Sequence, residues 1–199
     1  LCGASRHVER VTILTKRAWP VRVSALGLPS QAHAGGDVVR LLGKSGWCQS
    51  GRLPRVASSG PHFGEEPELV GRGGSGTIFF SNCTMRCEFC QNYSISQCGE
   101  GEEIACADLA LIMLGLQEAG CHNINLVSPT HYVPQILRAL VTAAAWGLTI
   151  PLVYNTGGYD RAETIALLDG IVDIYMPDAK YGDDARAVAL SPAPEYRGT

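Results

Sequence analysis

The chain has 199 residues, 46% of them hydrophobic and 18% charged, with a formal net charge of -3. That is enough apolar content to bury one core, and the slightly acidic balance without any basic run argues against nucleic-acid or membrane-surface binding as the main role. No apolar stretch approaches the length of a membrane span and the first residues lack a signal-peptide layout, so a soluble cytoplasmic protein is expected, although a chain that begins at Leu1 leaves its true start open.

Residues 1–37 carry scattered Arg, Gly, Ser and Pro with brief apolar runs such as Val11 to Leu14, and no sustained period of two or 3.6. The chain changes character near residue 75, which divides it into an amino-terminal extension, 1–75, and a main domain, 76–199. The run Gly71-Arg72-Gly73-Gly74-Ser75-Gly76 resembles a phosphate cradle but lacks the Lys-Ser/Thr pair of a P-loop, so a flexible approach to the next strand is expected.

From there strand and helix signals alternate. Thr77 to Phe80 is a β-prone run leading into a cysteine-rich loop. Asp108 to Ala119 reads as a helix with Leu109, Ile112, Met113 and Leu116 on one face, stopped at Gly120. Ile124 to Val127 reads as a buried strand. Pro134 to Ala145 reads as a helix with Val133, Ile136, Leu137, Leu140 and Ala144 in register and Gly147 ending it. Ile150 to Tyr154 is the third strand, Asp160 with Glu163 a capping-box-like helix start closed at Gly170, and Ile171 to Met176 the fourth strand. Strands joined by helix-length crossovers predict an α/β fold with a parallel sheet.

The polar residues fall at strand ends. The cysteine loop, Ser128-Pro129-Thr130-His131, Asn155-Thr156-Gly157-Gly158 and Pro177-Asp178-Ala179-Lys180 each follow a strand at its carboxyl end. In a parallel barrel those ends converge on the face that carries the site.

The loop itself reads Cys83-Thr-Met-Arg-Cys87-Glu-Phe-Cys90. Three thiolates on one short loop suit a [4Fe-4S] cube with one iron left open for a small molecule. Zinc also takes clustered thiolates, but a structural zinc wants four ligands, usually as two short pairs; no second pair follows, and Cys98 or His122 would have to fold back to complete such a site. The remaining cysteines, Cys2, Cys48, Cys98, Cys106 and Cys121, show no disulfide-framework spacing, which fits intracellular thiols.

The C-x3-C-x-aromatic-C loop resembles the signature of the radical S-adenosylmethionine (SAM) superfamily. With His62 to Pro67, Gly76 to Phe80, Cys83 to Asn92, Asn123 to Tyr132, Val153 to Thr156 and Asp173 to Tyr181, the chain resembles proteins related to pyruvate formate-lyase activating enzyme, especially the PflX-like branch, over roughly residues 38–199. The resemblance implies a parallel partial (β/α)6 barrel, here cut after about four strands. It implies a [4Fe-4S] cluster on Cys83, Cys87 and Cys90, with SAM chelating the unique iron and cleaved reductively to a 5′-deoxyadenosyl radical.

Carried over residue by residue, the resemblance sets Phe89 against the adenine, with Asn92 closing the matched loop among the cofactor contacts. It puts Asn155, Thr156, Met176 and Asp178 in the region that holds a monovalent cation beside the SAM carboxylate in relatives, and Lys180 on that carboxylate or the ribose. Relatives often hold the methionine amine with Gly-Gly-Glu-Pro; this chain has Ser128 to His131 there, so the Ser128 and Thr130 hydroxyls are expected to accept from the ammonium, with His131 available to the substrate. Cys48 matches a cysteine of an amino-terminal Cys-rich segment whose partners, Cys2 apart, are absent, so no second metal site is expected. The implied partners are an electron donor such as flavodoxin or ferredoxin and a protein substrate, a glycyl radical enzyme. The reading from another class is a zinc or iron-sulfur protein, structural or electron-carrying, without SAM chemistry.

Overall fold

The computed structural model describes residues 48–198; the expectations for residues 1–47, including the run 11–14 and Cys2, lie outside the described residues. A six-stranded sheet runs in the order β3-β1-β2-β4-β5-β6. Among the described residues the strands are β1 (Arg55–His62), β2 (Ser75–Phe80), β3 (Glu102–Glu103), β4 (Ile124–Val127), β5 (Leu152–Thr156) and β6 (Ile174–Pro177), and the α-helices are α1 (Pro67–Val70), α2 (Tyr93–Ser96), α3 (Cys106–Glu118), α4 (Val133–Ala145), α5 (Ala162–Leu167) and α6 (Asp184–Leu190).

The sheet is mixed rather than wholly parallel. β2, β4, β5 and β6 run parallel as expected, but β1 pairs antiparallel with β2 and β3 antiparallel with β1. A strand can lie antiparallel at the margin of such a sheet because it needs no helical crossover to reach its neighbour. Among the described residues the hydrogen-bonded sheet therefore begins at Arg55, ahead of Gly76.

Alternation sorts the two faces. Ile78, Leu126 and Tyr154 lie side by side in register and form one core with Leu109, Met113 and Leu116 of α3 and Ile136, Leu137 and Leu140 of α4. Thr77, Asn125 and Val153, one residue earlier in each strand, point to the opposite face. Both helices start close to their expected positions. Asp108 Oδ2 accepts from the Ala105 N–H at the head of α3 (3.2 Å), and Gly120 and Gly147 adopt positive φ (86° and 101°) beyond the two helices.

Three expectations shift. β5 begins at Leu152, not Ile150, because Pro151 has no N–H for a ladder, while the Leu152 N–H donates to Asp173 Oδ2 (2.8 Å). β6 begins at Ile174, because Ile171 and Val172 instead close the turn after α5, their N–H groups donating to Leu168 O. The approach to β2 is a pinned turn rather than a flexible one. The Arg72 and Gly73 N–H groups both donate to His122 Nε2 at 3.0 Å, and Gly73 packs so close to Gly120 that an added Cβ would lie 1.9 Å from its carbonyl oxygen.

Candidate active site at the carboxyl ends of the parallel strands

Register brings the strand ends level: Phe79 pairs with Val127, Val127 with Asn155, and Asn155 with Met176. The four polar segments thus leave the same edge of the sheet. Beyond β2, Asn82 and Arg86 take left-handed conformations (φ 68° and 52°) that curl the cysteine loop back on itself. Cys87 is buried and Cys83 and Cys90 half-buried, packed in one cluster with Met85, Ala187, Ala193, Tyr159, Tyr181 and Tyr196.

Polar hydrogens already face the sulfurs. The Met85 N–H donates to Cys83 Sγ (3.4 Å) and Ser96 Oγ to Cys90 Sγ (3.1 Å), while Gln97 Nε2 holds the Cys87 carbonyl (2.7 Å). Burial pushes the Cys83 thiol above its ordinary pKa, the Met85 and Arg86 N–H groups act against that, and the Cys87 and Cys90 charges add to it. All seven cysteines among the described residues are free thiols.

Among the described residues, no three His, Cys, Asp or Glu side chains converge closely enough to hold a single metal ion. A tetrahedral zinc about 2.3 Å from each sulfur would draw thiolates to within about 3.8 Å of one another. A four-iron cube binds each thiolate through a different iron and spaces them more widely. The fold-back ligand His122 sits before β4, at the far end of the strands, with Nε2 already bonded to Arg72 and Gly73.

A small open cleft lies between Cys83 and Met85 of the loop, Ser128, Thr130 and His131 beyond β4, and Thr156 and Gly157 at the end of β5. Ser128 turns there with φ 56° while its N–H still extends the ladder to Asn155 O (2.9 Å). Gly157 has no side chain for good reason: a Cβ would lie 2.6 Å from Met85 Sδ. Of the residues expected on SAM, Ser128, Thr130 and Thr156 line this cleft together with Cys83. Asn155 is half-buried and, by alternation, faces away from Thr156. His131 is buried and its Nε2–H donates to Ser81 O (2.9 Å), a tie between the β4 and β2 loops.

Asp178 and Lys180 form an ion pair beside the loop. Burial works against the Lys180 ammonium, but the hydrogen bond and charge of Asp178, with the charges of Cys87 and Cys90, outweigh it and leave its pKa raised. The Lys180 N–H donates to Tyr196 Oη (2.9 Å), which donates in turn to Gly157 O (2.8 Å), so one tyrosine fixes the β6 segment against the β5 segment. Phe89 and Asn92 lie apart on the rim. Phe89 is 53% exposed, its ring edge-on to Tyr181 with centroids 6.1 Å apart, and Asn92 is exposed with its carbonyl accepting from Ser96 N–H.

No protein-family model matches the chain. It is similar to an uncharacterized protein of Methanocaldococcus jannaschii, 35% identical over an alignment of 144 positions that covers 68% of this chain. The chain spans about 40% of the length of that relative.

Two site features escaped the sequence reading. Asp160 is no helix cap: the N-cap of α5 is Arg161, and the Asp160 carboxylate turns inward, 7% exposed, to accept from Tyr154 Oη (2.8 Å) and from Thr156 Oγ1. A buried carboxylate and a capping carboxylate have the same spacing to a downstream glutamate. The other is α6 with the 3-10 turn Tyr196–Gly198, which backs the cysteine loop through Glu88 N–H donating to Leu190 O (2.9 Å). The alanine-rich segment Asp184–Leu190 carries little apolar pattern to announce it.

Proposed function

We propose that this chain is the core of a cytoplasmic radical SAM enzyme of the pyruvate formate-lyase activating enzyme-related type, its four parallel strands part of a (β/α)6-like barrel. The observation that carries the reading is that Cys83 shares a cleft with the polar segments after β4 and β5, while Lys180, after β6, lies close enough to Cys87 and Cys90 to feel their charge.

The donor set fits a [4Fe-4S] cluster. Cys83, Cys87 and Cys90 of one curled loop would hold such a cluster with three thiolates, and the hydrogen-bond donors to Cys83 and Cys90 are of the kind that would tune its potential. When bound, the cluster and SAM together supply reductive carbon–sulfur cleavage and a 5′-deoxyadenosyl radical that abstracts hydrogen from a substrate. The chain's own residues hold and orient. Ser128, Thr130 and Thr156 offer hydroxyl oxygens to the amino-acid end of SAM, and Lys180 offers its ammonium to the carboxylate or ribose. The aromatic residues Tyr159, Tyr181 and Tyr196 keep water from the back of the loop. An electron donor such as flavodoxin or ferredoxin and a protein substrate, a glycyl radical enzyme, complete the scheme.

Anaerobic reconstitution with iron and sulfide tests the reading. About four irons per chain with broad visible absorption, and 5′-deoxyadenosine released from SAM under reductant, are the expected results; a colourless protein with one zinc supports a metal staple instead. Lys180→Ala is expected to weaken SAM binding to the reconstituted protein by about 1.5–3 kcal/mol, the range for a charge-assisted contact, while iron content stays unchanged. Equal SAM affinity in wild type and variant would make Lys180 a surface partner of Asp178 only.

A further inference from the structure

We propose that Ser96 sets how readily a [4Fe-4S] cluster on the cysteine loop takes up an electron, by donating its hydroxyl hydrogen to the Cys90 sulfur. This rests on the iron-sulfur part of the reading above and adds to it a positioning residue outside the loop, one that acts on the cluster only through its ligand.

Burial in α2 is inverted, and that singles Ser96 out. The ring of Tyr93 is 53% exposed, while Ser96, the buried residue of this four-residue helix, is 7% exposed. A buried hydroxyl without a partner is costly, and the hydrogen of this one goes to Cys90 Sγ at 3.1 Å. Ties to the loop and to α2 itself hold the donor there. The Ser96 N–H donates to Asn92 O (2.8 Å), the Asn82 N–H, one residue before Cys83, donates to Ile95 O (2.9 Å), and Gln97 Nε2 donates to Cys87 O (2.7 Å). The donor therefore stands in place before any electron arrives.

Reduction moves one electron to the cluster from a donor of the flavodoxin or ferredoxin class, which is oxidised by that electron; no proton need move. The added negative charge spreads onto the ligand sulfurs. A hydrogen aimed at one of them stabilises the reduced form more than the oxidised form and raises the potential. Cys90 is half-buried, so little water competes for its sulfur and the bond counts for more than it would in solvent. The Met85 N–H acts on Cys83 in the same sense, but it belongs to the backbone, whereas the Ser96 hydroxyl can be removed by substitution.

The experiment is a redox titration of the anaerobically reconstituted protein, read by electron paramagnetic resonance of the reduced cluster with no SAM added. Ser96→Ala is expected to keep the wild-type iron content and to lower the ratio of reduced to oxidised cluster about tenfold at a fixed potential, a shift of about 59 mV for a one-electron couple. Ser96→Thr, which keeps the hydroxyl, is expected to titrate as the wild type does. An unmoved potential in iron-loaded Ser96→Ala, or an equal shift in iron-loaded Ser96→Thr, overturns the assignment alone. If Ser96→Ala holds no cluster, Ser96→Gly is titrated in its place with the same expected shift; failure of both to load iron makes the hydroxyl a structural support of the loop and overturns the assignment. A wild-type protein that takes up no four-iron cluster overturns the iron-sulfur reading and this assignment with it.

Discussion

Cys87→Ala is expected to abolish cluster assembly outright, and Cys83→Ala and Cys90→Ala to do the same. The three sulfurs share one loop and one packed cluster, and Cys87, 5% exposed, is the most enclosed of them. A cluster that keeps two of three protein ligands has two irons open to solvent, and the loop has no fourth cysteine to take over. Cys106→Ala and Cys121→Ala are the controls. Both pack with the helix-side core rather than with the loop cluster, and each should load iron as the wild type does. Iron content and electron paramagnetic resonance of the reduced proteins check this; full loading of Cys87→Ala would remove the loop from consideration as a metal centre.

The second large effect is on stability. Leu126→Ala is expected to cost about 2–5 kcal/mol, the range for emptying a leucine-sized space in a packed core. Leu126 is 1% exposed, sits on β4 between β2 and β5, and packs into the core that α3 and α4 build over the sheet. Leu111, on the same α3 but 55% exposed, is the comparison, and Leu111→Ala should change stability by less than about 0.5 kcal/mol. Urea unfolding of the two variants measures the contrast. A similar small loss for both would mean that the helices do not close over β4 as described.

What the sequence made legible was whatever one face or one spacing could announce. β4 falls on Ile124 to Val127 as expected, and α4 covers its expected span with Ile136, Leu137 and Leu140 all buried, because a run of apolar residues at helical spacing has little else to become. The convergence of four polar segments was legible too, since it follows from parallel strands of matched register. β1 was not, because Arg55–His62 contains Ser58, Ser59, Gly60 and Pro61 and shows no strict alternation; its strand character comes from the ladder offered by β2. Ile171 and Val172 look like strand and serve as turn, which only the position of α5 decides. Asp160 was misplaced for a similar reason. Its role depends on Tyr154 and Thr156 alternating onto the helix side of β5, a fact of register that the spacing to Glu163 does not contain.

We propose that the cysteine loop and the adjoining strand ends form a reductive SAM-cleaving site. The most direct measurement is 5′-deoxyadenosine formed by the anaerobically reconstituted protein with SAM and dithionite. It should appear in wild type, dependent on reductant, and be lost in Cys87→Ala. A wild-type protein carrying about four irons per chain that forms no 5′-deoxyadenosine would contradict this reading and leave an iron-sulfur protein without SAM chemistry.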